Sequence, residues 1–350
     1  MFFASDNWAG ADSRINQAIA DHGSGFKSGY NNGELDRQVE AQLSRIFERD
    51  VTVFFVATGT AANSIAIASV SKAGGVTFCH EDSHLISDEC GGPEFFSASR
   101  LCAVSGELGK MNPDVLKTAI GRYPADFVHH GRPSAVSITQ ATETGTVYSV
   151  EEIRQISAIA REHALPLHMD GARFANALVS LKTTPAEMTW KAGVDLLSFG
   201  GTKNGCWCAE ALICFDSRLA GELAFHHKRA GQLFSKSRFI AAQFTGYLAG
   251  DHWLDMARHA NAMTGRLAGH IKKSPNARLA FAPQANESFV VLKKAQAEEL
   301  RNKGAVFFEW RLPLSHQDML QDDTEDLYRL VTSFATSPEE VDAFGEVLNG

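Results

Sequence analysis

Apolar side chains at Leu35, Val39, Leu43 and Phe47 return every four residues, the spacing of one buried face of a helix. The period then changes. Residues 51–57 (VTVFFVA) form a short β-branched and aromatic run that ends at Thr58-Gly59, which predicts a buried strand leading into a helix from Thr60. Runs of the same kind at 76–79, 134–139, 165–170, 195–199 and 211–215 predict further strands, with helices in several of the gaps. One of these helices is marked at its start: Ser149 and Glu152 have capping-box spacing, and Ile153, Ile156 and Ile159 or Ala160 would face inward. Strands that alternate with helices are expected to build an α/β fold around a mostly parallel, doubly wound sheet.

After about residue 245 the pattern changes again. A long helical stretch to Lys273 is followed by a connection over 274–287 and by strand runs at 289–293, 305–310 and 328–334. Ser337-Pro338-Glu339-Glu340 then supplies an N-cap, a proline at the first helical position and a glutamate at the third. The expected organisation is a large domain over 1–245 and a smaller α+β domain over 246–350.

At 350 residues, 44% of them apolar and 21% charged, the chain has material for a large core. The net charge is −8 and the 33 Lys and Arg are spread out, which argues against nucleic acid or an anionic membrane as partner. The opening MFFASDNWAG lacks a charged leader followed by an apolar core, and no apolar run reaches the roughly 18 residues of a membrane span, so a cytoplasmic protein is expected. The six cysteines form no C-x-x-C pair, as free thiols would have it, rather than a disulfide framework or a zinc site.

Open α/β sheets bind ligands beyond the carboxyl ends of their strands, so the residues that follow each strand carry the chemistry. Thr58-Gly59-Thr60 joins a strand to a helix start, where free N–H groups and the helix dipole favour a phosphate. A strand-to-helix turn uses glycine for structural reasons just as often. Asp170 ends the strand at 165–170 and is followed by Gly171-Ala172-Arg173. A carboxylate there can keep a pyridine nitrogen protonated, although an Asp–Arg salt bridge would explain the pair equally if it stood alone. Lys203 follows the next strand through Gly200-Gly201-Thr202, small residues that leave room for a flat ring. Desolvation and a nearby cation would give the neutral amine that forms an imine. A phosphate cradle, an acid for a ring nitrogen and an amine for an aldehyde describe three handles of one cofactor.

His80-Glu81-Asp82-Ser83-His84 also fits H-E-x-x-H, the metalloprotease signature. That motif works only on a helix, and here it follows a strand and precedes at best one helical turn before Gly91-Gly92. No metal is expected, and a zinc hydrolase using His80 and His84 is a distant alternative. His80, His168, His226 and His227 also read as hydrogen-bonded structural histidines.

Together these residues resemble the threonine aldolases of the β-eliminating lyase family, within the fold type I pyridoxal-phosphate enzymes. The resemblance covers nearly the whole chain and is carried by 168–177 (HMDGARFANA), 57–63 (ATGTAAN), 200–205 (GGTKNG) and 3–7 (FASDN). It implies a mostly parallel seven-stranded sheet in the large domain and a homotetramer built from dimers. It also implies pyridoxal 5'-phosphate on Lys203, with Asp170 at the pyridine nitrogen, Gly59 and Thr60 at the phosphate and His84 stacked on the ring near the substrate's β-oxygen. Arg173 and Ser5 would bind the substrate carboxylate, with Arg311 as second guanidinium; Tyr30 would lie at the active site. His130, or its neighbour His129, falls where the family has a second histidine near the β-hydroxyl, and Arg229 would reach the phosphate of a neighbouring subunit.

The implied activity is retro-aldol cleavage of L-threonine, L-allo-threonine and other 3-hydroxy amino acids such as phenylserine to glycine and an aldehyde. β-Elimination or amino transfer on the same cofactor is the nearest rival. The chain departs from the family at Asn31-Asn32, where acidic residues are usual, at Gln140-Ala141-Thr142-Glu143, where E-N-T-H is common, and at Cys206-Trp207, in place of a Gly-Leu-Gly turn. These positions bear on the substrate's β-substituent, not on the cofactor.

Overall fold

The β-branched run at 51–57 forms strand β1 (Thr52–Val56), and each of the other five predicted runs in the first part of the chain also forms a strand. The computed structural model describes every residue of 1–350 except Ala125. The remaining strands of the large sheet are β2 (Gly75–His80), β3 (Arg100–Val104), β4 (Arg132–Thr139), β5 (Leu167–Gly171), β6 (Leu196–Gly200) and β7 (Glu210–Cys214). Their order is β1-β7-β6-β5-β4-β2-β3. Only β7 runs against its neighbours, β1 and β6; the other pairs are parallel. Edge strand β3 is not among the strands expected from sequence, although Leu101–Val104 is a short apolar run; only Val104 of it is fully buried.

The second sheet is antiparallel, in the order β10-β11-β9-β8, and consists of β8 (Ala277–Leu279), β9 (Glu287–Lys293), β10 (Phe308–Glu309) and β11 (Glu325–Val331). Here the boundaries read from sequence shift. β8 lies within the stretch expected to be a connection, β10 is a two-residue remnant of the 305–310 run, and β11 starts before Tyr328. The single long helix expected up to Lys273 is two, Arg238–Leu248 and His252–Ile271, separated where Gly250 and Asp251 both take positive φ. The caps expected at Ser149 and Ser337 form, each with its reciprocal glutamate bond.

Two arrangements position the site. Phe199 on β6 is fully buried at the centre of an aromatic cluster with Phe47, Phe174, Phe244, Tyr247 and Trp253. It anchors the strand that leads to Lys203. The chain's first residues join the other core: Phe3 packs edge-on against Phe344 at 5.3 Å, donates its N–H to Val306 and accepts from the N–H of Val331. Ser5 and Asp6 are thereby carried to the mouth of the large sheet. Helix His252–Ile271 serves both cores, with Trp253 and Met256 in the large one and Leu267 and Ile271 in the small one.

Phe199→Ala is expected to lose about 3–5 kcal/mol of unfolding free energy. Urea denaturation followed by fluorescence checks this, and a loss under about 1 kcal/mol would show that the cluster closes the cavity or does not anchor β6.

Candidate active site

The carboxyl ends of β1, β2, β4, β5 and β6 converge on one cavity of about 250 Å³. Its walls include Thr58, Gly59 and Thr60 after β1, His84 and Glu89 after β2, and Ala141 and Glu143 after β4. Asp170 and Arg173 come from the end of β5, Lys203 from the turn Thr202–Asn204 after β6, and Glu210 from the start of β7. Six residues expected from sequence, Gly59, Thr60, His84, Asp170, Arg173 and Lys203, therefore meet in one place. Close backbone approach makes this possible: a Cβ on Gly200 would collide with the backbone of Ala172, so the ends of β5 and β6 can lie together only with glycine there.

At the helix Gly59–Val70, the Thr58 hydroxyl accepts from the N–H of Ala61. The N–H groups of Gly59 and Thr60 find no acceptor among the described residues, and the space where a Gly59 Cβ would sit is open. A helix start with free donors and an open face suits an anion. Asp170 is buried, accepting from the N–H of Ala172 at 3.0 Å and from Asn63 Nδ2 at 2.8 Å. Lys203 Nζ has no hydrogen bond or ion pair among the described residues. The carboxylates Asp6 and Glu210 feel its charge, and the Arg173 guanidinium lines the same cavity. Burial pushes Glu210 up to about 7, against the hydrogen bonds from Thr202 and the charge of Lys203. This donor set fits a group that carries a phosphate, a basic ring nitrogen and an aldehyde.

Arg173 is held more tightly than its sequence context suggests. Its Nε and Nη2 donate to the two oxygens of Asp6 at 2.8 and 3.0 Å, and its Nη1 lies 3.2 Å from Glu287. Burial alone would raise the Asp6 carboxyl, but the charge and hydrogen bonds of Arg173, with Lys203 and Asn286, hold it below its ordinary range. Glu287 goes the other way: burial pushes it up, and Arg173 and Arg329 only partly offset that.

Arg329 on β11 lies 3.5 Å from Glu287 and stacks 3.6 Å over Trp310, so it is the second guanidinium beside Arg173. Sequence reasoning placed that role on Arg311. The structure instead puts Arg311 outside the cavity, on Ser87 and Asp88 at 2.7 and 3.1 Å, because the chain turns away after the short β10. The available signal for Arg329 was an arginine inside the otherwise apolar run 327–331 (LYRLV).

His130 is also corrected. It precedes β4, at the amino end of the sheet, and its Nδ1 lies 2.8 Å from Arg122 O. Eight residues of β4 put roughly 25 Å between it and its own chain's cavity. With Lys72, Arg132 and Arg161 it lines a separate, open cleft on that side of the sheet. Tyr30 and Arg229 are exposed and outside the cavity, Tyr30 beside Lys228 and Arg229 beside His226. Ser5 is near it, capping the turn Asp6–Trp8 and accepting from Asn7 N, and Asn7 lines the wall.

The two histidines of H-E-x-x-H do not form a pair. His80 uses both ring nitrogens locally, with Gly106 O and Asp82 N, while His84 begins a one-turn helix, His84–Ser87. Among the described residues no group of three or more His, Cys, Asp or Glu side chains is gathered as a metal would need. His168 lies under Asp170 between the hydroxyls of Ser137 and Ser198, each at 2.9 Å, and burial pushes it down to about 4. It is a neutral support.

Residues 3–323 match the beta-eliminating lyase family. The chain is 40% identical over 326 residues to a low specificity L-threonine aldolase of Pseudomonas sp. (strain NCIMB 10558), covering 93% of each protein. It is 42% identical over 308 residues to the protein of that name from Pseudomonas aeruginosa, covering 87% of this chain and 88% of the other. Among solved structures, a threonine aldolase of Leishmania major superposes with a TM-score of 0.91 at 26% identity, over 99% of this chain and 98% of the other. A serine palmitoyltransferase of Sphingomonas wittichii, at 17% identity, shares the fold with a TM-score of 0.73 over 100% of this chain and 86% of that one.

Asp6→Asn leaves Arg173 buried without its bidentate partner and is expected to lose about 3–5 kcal/mol of stability at neutral pH. Because the folded Asp6 carboxyl lies below its unfolded value, the parent's advantage is complete above the ordinary aspartate range and is lost as pH falls through the folded value. Denaturation of both proteins across that range tests the sign; an advantage that persists undiminished into acid would contradict it.

Proposed function

The chain belongs to the beta-eliminating lyase family, and from that membership and the site we propose that it is a threonine aldolase. It would cleave L-threonine, L-allo-threonine and related 3-hydroxy amino acids such as phenylserine to glycine and an aldehyde. The observation that carries this reading is identity to low specificity L-threonine aldolases along almost the full chain, with Lys203 and Asp170 facing one cavity.

The proposed cofactor is pyridoxal 5'-phosphate, with Gly59 and Thr60 at its phosphate, Asp170 at its ring nitrogen and Lys203 Nζ at its aldehyde. When bound, it supplies a protonated ring that takes up the electron pair left when Cα–Cβ breaks. Asp170, fixed by Asn63 and the Ala172 N–H, keeps that nitrogen protonated. Lys203 Nζ would hold the aldehyde in the absence of substrate. His84, whose Nδ1 lies 2.9 Å from Glu89 Oε1, would take the proton of the substrate's β-hydroxyl. Arg173, Arg329 and the Ser5 hydroxyl would orient the α-carboxylate, which must share the two guanidinium groups with Glu287.

The finer points of assembly and location are part of the same proposal. A homotetramer built from dimers would bring Tyr30 and Arg229 to a neighbour's cavity; exposed Phe26, Tyr30, Trp207 and Phe225 support such an interface. A cytoplasmic location is supported by six free cysteines, and no helix is long and apolar enough to cross a membrane.

Protein loaded with pyridoxal phosphate is expected to absorb in the visible and to release acetaldehyde and glycine from L-threonine, and Lys203→Ala to do neither. Pyruvate or a keto acid in place of acetaldehyde would move the reaction to β-elimination or amino transfer. Arg329→Ala is expected to raise KM about 10- to 100-fold, the loss of one charge-assisted contact, while Arg311→Ala stays within about twofold. The reverse pattern in steady-state kinetics would return the carboxylate role to Arg311.

A further inference from the structure

Asn63 is buried on the helix Gly59–Val70, and its amide gives one hydrogen to each of two carboxylates. Nδ2 lies 2.7 Å from Glu89 Oε1 and 2.8 Å from Asp170 Oδ2. The opposite orientation of the amide would set its oxygen against both. Glu89 Oε1 is also 2.9 Å from Nδ1 of His84. Glu89's side chain is fully buried, and its Oε2 has no hydrogen-bond partner among the described residues. A continuous chain of hydrogen bonds thus runs from the cavity wall to the carboxylate below: His84, Glu89, Asn63, Asp170.

We propose that Glu89 is a positioning residue, which takes the Nδ1–H of His84 so that Nε2 presents its lone pair to the cavity, and that Asn63 locks this pair to Asp170. The inference rests on the threonine aldolase reading for what Nε2 does, but not for how His84 is held. An imidazole in water exchanges between two tautomers, and only one of them leaves Nε2 as the base. An ionised carboxylate only accepts, so its bond at Nδ1 selects that tautomer. Asn63 then makes the distance between the proton acceptor and the ring-nitrogen carboxylate a property of one amide group rather than of two independent side chains.

The dyad has a second consequence. The groups that bear on His84 are Glu89 beyond its own short helix, Glu143 from the turn after β4 and Asp170 at the end of β5, all acidic. Lys203, Arg173 and Glu210 line the same cavity. The hydrogen bond to Glu89 is the largest influence and, against burial, holds His84 above its ordinary value. A base must be neutral to act, so kcat/KM should fall as pH drops through this raised value. Removing Glu89's charge should move that acid limb to lower pH.

The test uses the cofactor-loaded parent and Glu89→Gln, with two readouts. The first is the pH profile of kcat and kcat/KM on L-threonine. The second is the 15N-histidine spectrum without substrate, with the His84 signals assigned by their loss in His84→Asn. Glu89→Gln is expected to lower kcat about 10- to 100-fold with a smaller change in KM, the range seen when a carboxylate that orients a metal-ligating histidine is removed. It should also shift the acid limb down and replace the single Nδ1–H form of His84 by a mixture. A rate loss with the acid limb and the 15N signals unmoved would overturn the proposal. If Glu89→Gln does not fold, the parent spectrum decides alone: neutral His84 carrying its proton on Nε2 would overturn it, and on Nδ1 would uphold it. A parent that releases no acetaldehyde overturns the aldolase reading, while the 15N spectra still judge the dyad.

Discussion

The bidentate pair between Arg173 and Asp6 is the contact on which the geometry of this protein turns. Arg173 follows β5 in the large sheet, Asp6 lies near the chain's beginning, and Glu287, on the other side of the same guanidinium, opens β9 of the small sheet. Three distant parts of the chain are therefore registered against one planar group whose donors point in fixed directions. Removing so many charges from water is expensive, and such a network seldom adds net stability over an apolar alternative. Its effect is to specify position. The driving force for bringing the N-terminal segment in comes from elsewhere, from Phe3 buried against Phe344 and bridged to the neighbourhood of β11.

The cavity that results is polar, and several of the polar groups in its walls are held by others. Asp170 has two donors, His84 has Glu89, and His168 beneath them is clamped between two serine hydroxyls. The turn that carries Glu143 is pinned by three threonine hydroxyls, Thr142, Thr144 and Thr146, that converge on the carbonyl of Leu108. Against this fixed background the N–H groups of Gly59 and Thr60 and the amine of Lys203 stand without partners among the described residues. Binding a phosphate and an aldehyde there requires little rearrangement, which lowers the ordering cost of association. The same fold carries a serine palmitoyltransferase at 17% identity, so the fold does not select the reaction; the side chains at the strand ends do.

Legibility from sequence followed burial. β1, β2, β4, β5, β6 and β7 are buried and apolar, and each can be read from composition alone, as can the capped helices after Ser149 and Ser337. β3 was not read, since its apolar run Leu101–Val104 is short and lies at a partly exposed edge; β8 is too short to impose a pattern, and of the 305–310 run only β10 is strand. Gly59, Thr60, Asp170, Arg173 and Lys203 were legible for a related reason: each lies just past a readable strand, and open α/β sheets gather such positions at one edge.

The sequence by itself therefore determined the class of fold, the strand ends that would carry chemistry, and the residue types suited to a phosphate, a ring nitrogen and an aldehyde. Those are local properties, set by a few neighbouring residues and their period. Tertiary structure decided what depends on contacts between distant segments. It set Arg329 against Glu287, which also faces Arg173, and Arg311 against Ser87 and Asp88, contacts that only the path of the chain reveals. It left His130 at the amino end of β4, away from its own chain's cavity, as its place before the predicted strand run implies. It also joined His84, Glu89, Asn63 and Asp170 in one hydrogen-bonded chain, because hydrogen bonds reach about 3 Å while the residues that make them lie up to 107 positions apart.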